Sequence, residues 1–99
     1  MIRHVVIWKL RGPSEAERRA QAKDVARALV GLRGNIPGMT ALEVGLGSGA
    51  AAEEGDVVLM TTHDSWDALR AYQQHPAHQE VARLIGELRV DRRVVDFEA

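Results

Sequence analysis

The sequence contains no cysteine, and this absence excludes disulfide bonds, thiolate zinc sites and catalysis by a cysteine nucleophile. It also has no apolar run near the ~20 residues that a membrane-spanning helix needs, so we expect no membrane partner. The first residues do not form the charged, apolar and small-residue sections of a signal peptide. Together these absences predict a cytoplasmic protein.

The chain also lacks an excess of either charge. Its 13 Lys and Arg side chains stand against 14 Asp and Glu side chains, a formal net charge of -1. Bulk charge therefore attracts neither nucleic acid nor a membrane surface, and we expect no nucleic-acid partner. A chain of 99 residues has the size of one small domain, and we interpret residues 1–99 as a single domain.

The first third of the chain predicts a strand followed by a helix. Residues 2–10 are rich in β-branched side chains and stop at a Gly-Pro turn, which is typical of a strand. Ser14 and Glu17 have the spacing of a capping box, so a helix is predicted to begin after Ser14. Apolar residues then recur at helical spacing, and Gly34 with Asn35 is predicted to end this helix.

The rest of the chain predicts two strands, a helix in two pieces and a closing strand. The strands are predicted at residues 39–46, 56–63 and 92–98, and the small-residue segment between the first two as a mobile loop. Ser65 caps one helical piece, and Pro76 begins the other because the first turn of a helix does not need its N–H. The order β-α-β-β-α-β indicates an α+β fold, an antiparallel four-stranded sheet with helices on one face.

Two helices cover only one face of such a sheet. The first and third predicted strands nevertheless carry apolar side chains on both faces, and a large exposed apolar surface is unusual for a monomer. We therefore predict a homodimer that buries the helix-free face of the sheet.

The segment YQQHPAHQE, residues 72–80, is a candidate site for acid–base chemistry. His78 lies three residues before Val81 and seven before Ile85, so its side chain is expected towards the apolar face of the helix. Burial without a partner would lower its pKa and keep it neutral, which is the form that accepts a proton. Tyr72 is suited to orient this base, or to donate a hydrogen bond to a carbonyl oxygen on which charge develops.

Structural roles stay open for the same side chains. His78 is also interpretable as a hydrogen-bonded structural histidine near a helix start, and Tyr72 as a core residue with its hydroxyl at the surface. His4 lies among apolar residues of the first strand, where a single histidine more often makes one structural hydrogen bond. We expect His75 near solvent as a helix cap, and His63 in a turn.

A metal site is not predicted. His75 and His78 are three residues apart, but Pro76 indicates that His75 precedes the regular helix. No carboxylate lies nearby at a recognised ligand spacing.

Four segments together resemble the stress-responsive dimeric A/B barrel domain (Dabb) family: RHVV at residues 3–6, IPG at 36–38, AYQQHPAH at 71–78 and VVDF at 94–97. The resemblance covers essentially the whole chain. It implies a ferredoxin-like subunit whose sheet pairs with that of a second subunit into a dimeric α/β barrel. Most members have no assigned reaction and are described by their induction under stress, whereas a plant member, olivetolic acid cyclase, closes a linear polyketide without a cofactor. The roles of that cyclase would fall here on His4, Tyr72 and His78.

Two classes of function remain. One is a cofactor-independent cyclase or lyase-type enzyme that uses histidine acid–base chemistry, and the other is a non-catalytic stress-response or ligand-binding dimer. We expect no cofactor in either case. A small-molecule pocket is predicted between the sheet and the helices, lined by Val6, Trp8, Trp66 and Val81, and convergence of His4, Tyr72 and His78 on a cavity would favour the enzyme.

Overall fold

The fold follows the predicted order of strands and helices. The computed structural model describes residues 1–49 and 53–99; the predicted mobile loop includes residues 50–52, which lie outside the described residues. The elements are β1 (Ile2–Leu10), α1 (Glu15–Val30), β2 (Met39–Leu46), β3 (Val57–His63), α2 (Trp66–Gln74), α3 (Pro76–Leu88) and β4 (Arg89–Glu98). The ferredoxin-like β-α-β-β-α-β fold is therefore confirmed, with the second helical segment divided into α2 and α3.

The helix starts agree with the capping signals. The Ser14 hydroxyl oxygen accepts the backbone N–H of Glu17 at 3.1 Å, and the Ser65 hydroxyl oxygen accepts that of Ala68 at 3.1 Å. Each serine thereby satisfies one of the backbone donors that the first turn of a helix leaves unpaired.

The end of α1 differs from the prediction. The α-helix stops at Val30, and residues 31–34 form tighter turns in which Leu32 N–H bonds to the Leu29 carbonyl. Gly34 has a φ of 81°, the left-handed conformation that favours glycine, so it ends these turns and not the α-helix itself. The strand β4 begins at Arg89, three residues before its predicted start, because Arg89 already pairs with Leu10 of β1.

The four strands form one antiparallel sheet in the order β2-β3-β1-β4. The alternation of side chains along β1 sends its even-numbered residues towards the helices, where all five are buried: Ile2, His4, Val6, Trp8 and Leu10. They pack with α1 residues such as Val25 and Leu29 and with Leu59 of β3. This layer is the core, and it contains His4.

The opposite face of the sheet carries no helix among the described residues. Its apolar side chains are partly open to solvent, with exposed fractions of 42% for Ile7, 40% for Met60, 60% for Val95 and 41% for Phe97. The register places Val95 opposite Val5 and Phe97 opposite Arg3, so these side chains share one surface. No helix among the described residues is long and apolar enough to span a bilayer.

Candidate active site

A cavity of about 240 Å³ lies between the helix-covered side of the sheet and α3. The residues that line it are His4, Val6, Trp8, Leu29, Leu59, Tyr72, His78, Val81, Ala82, Ile85, Arg89 and Arg92. Its volume is slightly below the roughly 300–1,000 Å³ typical of small-molecule sites, and most of its wall is apolar. The three candidate residues His4, Tyr72 and His78 therefore converge on one cavity, although they come from three different elements.

His4 is held by a residue of the last strand. Its Nδ1 lies 2.5 Å from Oδ1 of Asp96, which is the residue opposite it in the register of β1 and β4. His4 is almost fully buried, whereas the Asp96 side chain is only partly buried. A carboxylate can accept but not donate when ionised, so the contact orients the ring and leaves Nε2 for a ligand.

Tyr72 lies at the centre of an aromatic cluster. Its ring centroid is 4.5 Å from that of His78, 5.0 Å from that of His63 and 6.0 Å from that of His4. Burial raises the pKa of Tyr72 to about 12, and the charge of Arg92 opposes this shift in part. The phenol therefore stays protonated near neutral pH and is available as a hydrogen-bond donor.

His78 has a tautomer that suits a base. Its Nδ1 lies 3.1 Å from the backbone carbonyl of Gln73, and a carbonyl oxygen can only accept, so Nδ1 carries the proton. In the neutral ring, Nε2 then bears the lone pair. Burial is the main cause that lowers the pKa of His78, and the charges of His4, Arg92 and His75 act in the same direction against the opposing bond to Gln73. The neutral form is thus favoured at pH 7.

His75 has a different environment from His78, as the sequence predicted. It is the N-cap of α3, and its Nδ1 accepts the backbone N–H of Ala77 at 3.1 Å. It is not among the residues that line the cavity. Of the two neighbouring histidines, only His78 therefore lines the cavity.

His63 ends the third strand, as predicted, but the turn role expected for it was wrong. It is the last residue of β3, its side chain is fully buried, and its Nε2 lies 2.8 Å from the Thr61 hydroxyl. Its Nδ1 is buried without a hydrogen-bond partner among the described residues. Burial is the main cause that lowers the pKa of His63, which keeps this unpaired nitrogen uncharged. Its position on the buried face of β3 could have been inferred by applying the alternation of the predicted strand to its last residue.

Three of the four residues predicted to line the pocket do line the cavity. Val6, Trp8 and Val81 line it, but Trp66 does not. Trp66 is the first residue of α2 and is 43% exposed. The sequence interpretation missed Asp96, Arg89 and Arg92. The alternation of β4 was the available signal, since it places Arg92, Val94 and Asp96 on the same face.

The arrangement brings together one neutral imidazole, one protonated phenol and one oriented imidazole around an apolar cavity. Such a set can remove a proton from carbon and stabilise the charge that appears on a neighbouring oxygen. Within residues 1–49 and 53–99, no group of three or more histidine or carboxylate side chains is arranged to hold a metal ion.

The comparisons with known proteins agree on the fold. A dimeric ferredoxin-like protein of unknown function from Thermobifida fusca yx is 30% identical, with a TM-score of 0.84 over 99% of this chain and 90% of that chain. A dimeric protein of unknown function and ferredoxin-like fold from Bacteroides fragilis NCTC 9343 is 26% identical, with a TM-score of 0.86 over 99% and 95% of the two chains. The hydroxynitrile lyase from Passiflora edulis shares the fold at 16% identity, with a TM-score of 0.78 over 97% and 90%.

The search of curated proteins found no match. The model of the Stress responsive A/B Barrel Domain, in contrast, matches residues 2–99, which is nearly the whole chain. The chain therefore belongs to the stress responsive A/B barrel domain (Dabb) family.

Proposed function

We propose that this protein is a cofactor-independent enzyme of the cyclase or lyase type that acts on a small carbonyl compound, with His78 as its general base. The observation that carries this proposal is the hydrogen bond from His78 Nδ1 to the Gln73 carbonyl. It leaves the Nε2 lone pair for a ligand in the same cavity that His4 and Tyr72 line. The hydroxynitrile lyase of the same fold supports it at the level of fold alone.

The proposed step is an aldol-type closure. His78 Nε2 takes a proton from a carbon next to a carbonyl group, and the electron pair moves to that carbonyl oxygen as an enolate. The Tyr72 hydroxyl donates a hydrogen bond to this oxygen, and His4, oriented by Asp96, contacts the same end of the substrate. The enolate carbon then attacks a second carbonyl of the same molecule, and the His78 imidazolium returns its proton to the new alkoxide. The reaction needs no external oxidant or reductant.

We also propose that the protein is a homodimer formed through the helix-free face of the sheet. The apolar side chains of that face support this proposal, and so do the relatives from Thermobifida fusca yx and Bacteroides fragilis NCTC 9343, which are described as dimeric. A second copy would pack its sheet against this one and remove those side chains from water.

The other candidate is a non-catalytic ligand-binding dimer, which the mostly apolar wall of the cavity would also suit. A thermal-shift screen with small phenolic and polyketide-like compounds, followed by mass spectrometry of the incubated hits, separates the two. A ligand at 100 times its Kd adds about 2.7 kcal/mol to the folded state. For a domain of this size, that corresponds to an increase in Tm on the order of 10 °C.

The enzyme predicts hits that wild type and a His75→Ala control convert into the cyclic aldol, but that His78→Ala does not; the aldol has the same mass as the hit, so chromatography before the mass spectrometry separates the two. Hits that bind without conversion would assign the cavity to binding alone. An absence of hits that depend on His78 would contradict both the catalytic role and the ligand-binding role of that side chain.

The pH dependence of turnover follows from the two pKa shifts. A base must be neutral, so kcat/KM should be constant at neutral pH and fall as the pH drops through the pKa of His78, which burial lowers below 6.5. Because the pKa of Tyr72 is about 12, we expect no loss of activity through ionisation of its phenol between pH 7 and about 10. A profile of initial rates from pH 4 to 10 checks this, and an acidic limb centred above pH 6.5 would contradict the assignment of the base.

A further inference from the structure

We propose that Arg89 and Arg92 bind a carboxylate group of the substrate, so that this protein acts on a small oxo acid and not on a neutral carbonyl compound. The inference rests on the proposed function for the reacting carbonyl, but the anion site itself is argued from the two arginines and the cavity that they line. It would determine which carbonyl compounds enter the cavity and how they are oriented.

The two arginines reach the cavity from one edge of the sheet. Arg89 is the first residue of β4 and pairs with Leu10, and Arg92 pairs with Trp8, whose side chain is buried on the helix-covered side. Both arginines are among the residues that line the cavity. The mouth of the cavity beside β4 therefore carries two positive charges.

Among the described residues, neither Arg89 nor Arg92 has a carboxylate as an ion-pair partner. Two acidic residues of β4 have other side-chain partners, although Asp91 Oδ1 also accepts the backbone N–H of Arg92 at 2.9 Å. Asp91 pairs with Arg93 at 3.5 Å, and Asp96 contacts His4. The cavity lining itself contains no carboxylate.

The charge of Arg92 acts on the reacting groups. Burial is the largest cause of the shifts at Tyr72 and His78, and Arg92 contributes by lowering the pKa of both. A substrate anion bound by Arg92 would thus lie in the same electrostatic environment as the base and the phenol. A cavity with two unpaired guanidinium groups and a largely apolar wall is complementary to a small molecule with one anionic end.

The chemistry of the guanidinium group favours a planar carboxylate. Its fixed fork of N–H donors matches the two oxygens of a carboxylate, and charge-assisted bonds of this kind are about twice as strong as neutral ones. Phosphate shares this preference for arginine. The small volume of the cavity, about 240 Å³, favours the smaller anion, and the experiment below separates the two.

The test measures the Kd values of 2,4-dihydroxybenzoate and 2,4-dihydroxybenzamide, which share a ring and differ in charge, by NMR titration. We expect wild type to bind the benzoate about 10- to 100-fold more tightly than the benzamide. Arg89→Gln and Arg92→Gln should each reduce this ratio, and the double variant should bring it close to one. Arg83→Gln is the matched control, because Arg83 lies on α3, is exposed, does not line the cavity and pairs with Glu80.

Equal affinity for the two compounds in wild type, or a preference that survives in the double variant, would overturn the proposal. So would failure of both compounds to shift the resonances of the cavity residues at millimolar concentration. Displacement of the benzoate by inorganic phosphate at lower concentrations than by acetate would replace the carboxylate with a phosphate as the bound group.

The outcome is distinguishable from that of the proposed function. His78→Ala should keep the preference for the benzoate, because the arginines that produce it are intact. An anion preference without turnover would contradict the enzyme and leave the anion site in place. Turnover of neutral carbonyl compounds without an anion preference would contradict the anion site and leave the proposed enzyme in place.

Discussion

Replacing His78 with alanine should lower kcat for the substrate by about 10²–10⁴-fold, the usual contribution of a positioned general base. The physical reason is that His78 Nε2 is the proton acceptor of the proposed step, and the Gln73 carbonyl holds the ring in the tautomer that leaves this nitrogen its lone pair. Initial rates with a hit from the ligand screen measure the effect, and circular dichroism verifies that the variant is folded.

Two further variants separate catalysis from structure. His78→Asn retains a side-chain donor for the Gln73 carbonyl but has no basic nitrogen, so it should fold like wild type and lose the same activity. His75→Ala removes the cap of α3 and should cost about 1 kcal/mol of stability, with little change in kcat. Full activity in His78→Asn would exclude His78 as the base.

Replacing Val95 with aspartate should convert the dimer into a monomer at micromolar concentration. Val95 is 60% exposed on the helix-free face, so the subunit itself should tolerate the change. In a dimer built on that face, each subunit would lose an apolar contact and place a carboxylate at the interface, at a cost on the order of 3 kcal/mol or more. That corresponds to an increase in the dissociation constant of roughly 100-fold or more.

Light scattering measures the result directly. Wild type should have about twice the subunit mass of 10.9 kDa, and Val95→Asp should have the subunit mass. Val30→Asp is the control, since Val30 is also exposed but lies at the end of α1, away from the sheet face. A monomeric wild type, or a Val95→Asp variant that remains dimeric, would contradict the helix-free face as the interface.

The sequence predicted the elements because local rules act over a few residues. The serine caps, the proline at the start of α3 and the alternation of β1 all depend on neighbours within one or two turns. The end of α1 was less predictable. Gly34 ends the turns that follow the helix, but no residue comparable to this glycine indicates the change from α-helical to tighter turns at Val30.

For His63, the alternation of buried and exposed side chains along the strand was not applied to the last residue. Its neighbour Asp64 suggested a turn role for the last residue of the predicted strand, but His63 is a paired strand residue opposite Ile2 of β1. That pairing turns the imidazole inward against Tyr72 at a centroid distance of 5.0 Å. The hydrogen bonds of the sheet therefore outweighed the local tendency of His63 and Asp64 to form a turn.

The sequence by itself determined the α+β order, the buried face of β1, the inequality of His75 and His78, and the apolar character of both faces of the sheet. Each of these depends on periodicity and capping within one segment. The tertiary structure alone decided that Asp96 contacts His4 across 92 residues of sequence, that Arg89 and Arg92 line the same cavity as His78, and that Trp66 lies outside it. The reason is that alternation assigns a side chain to a face, whereas its partners on that face depend on strand register and on how the helices pack across it.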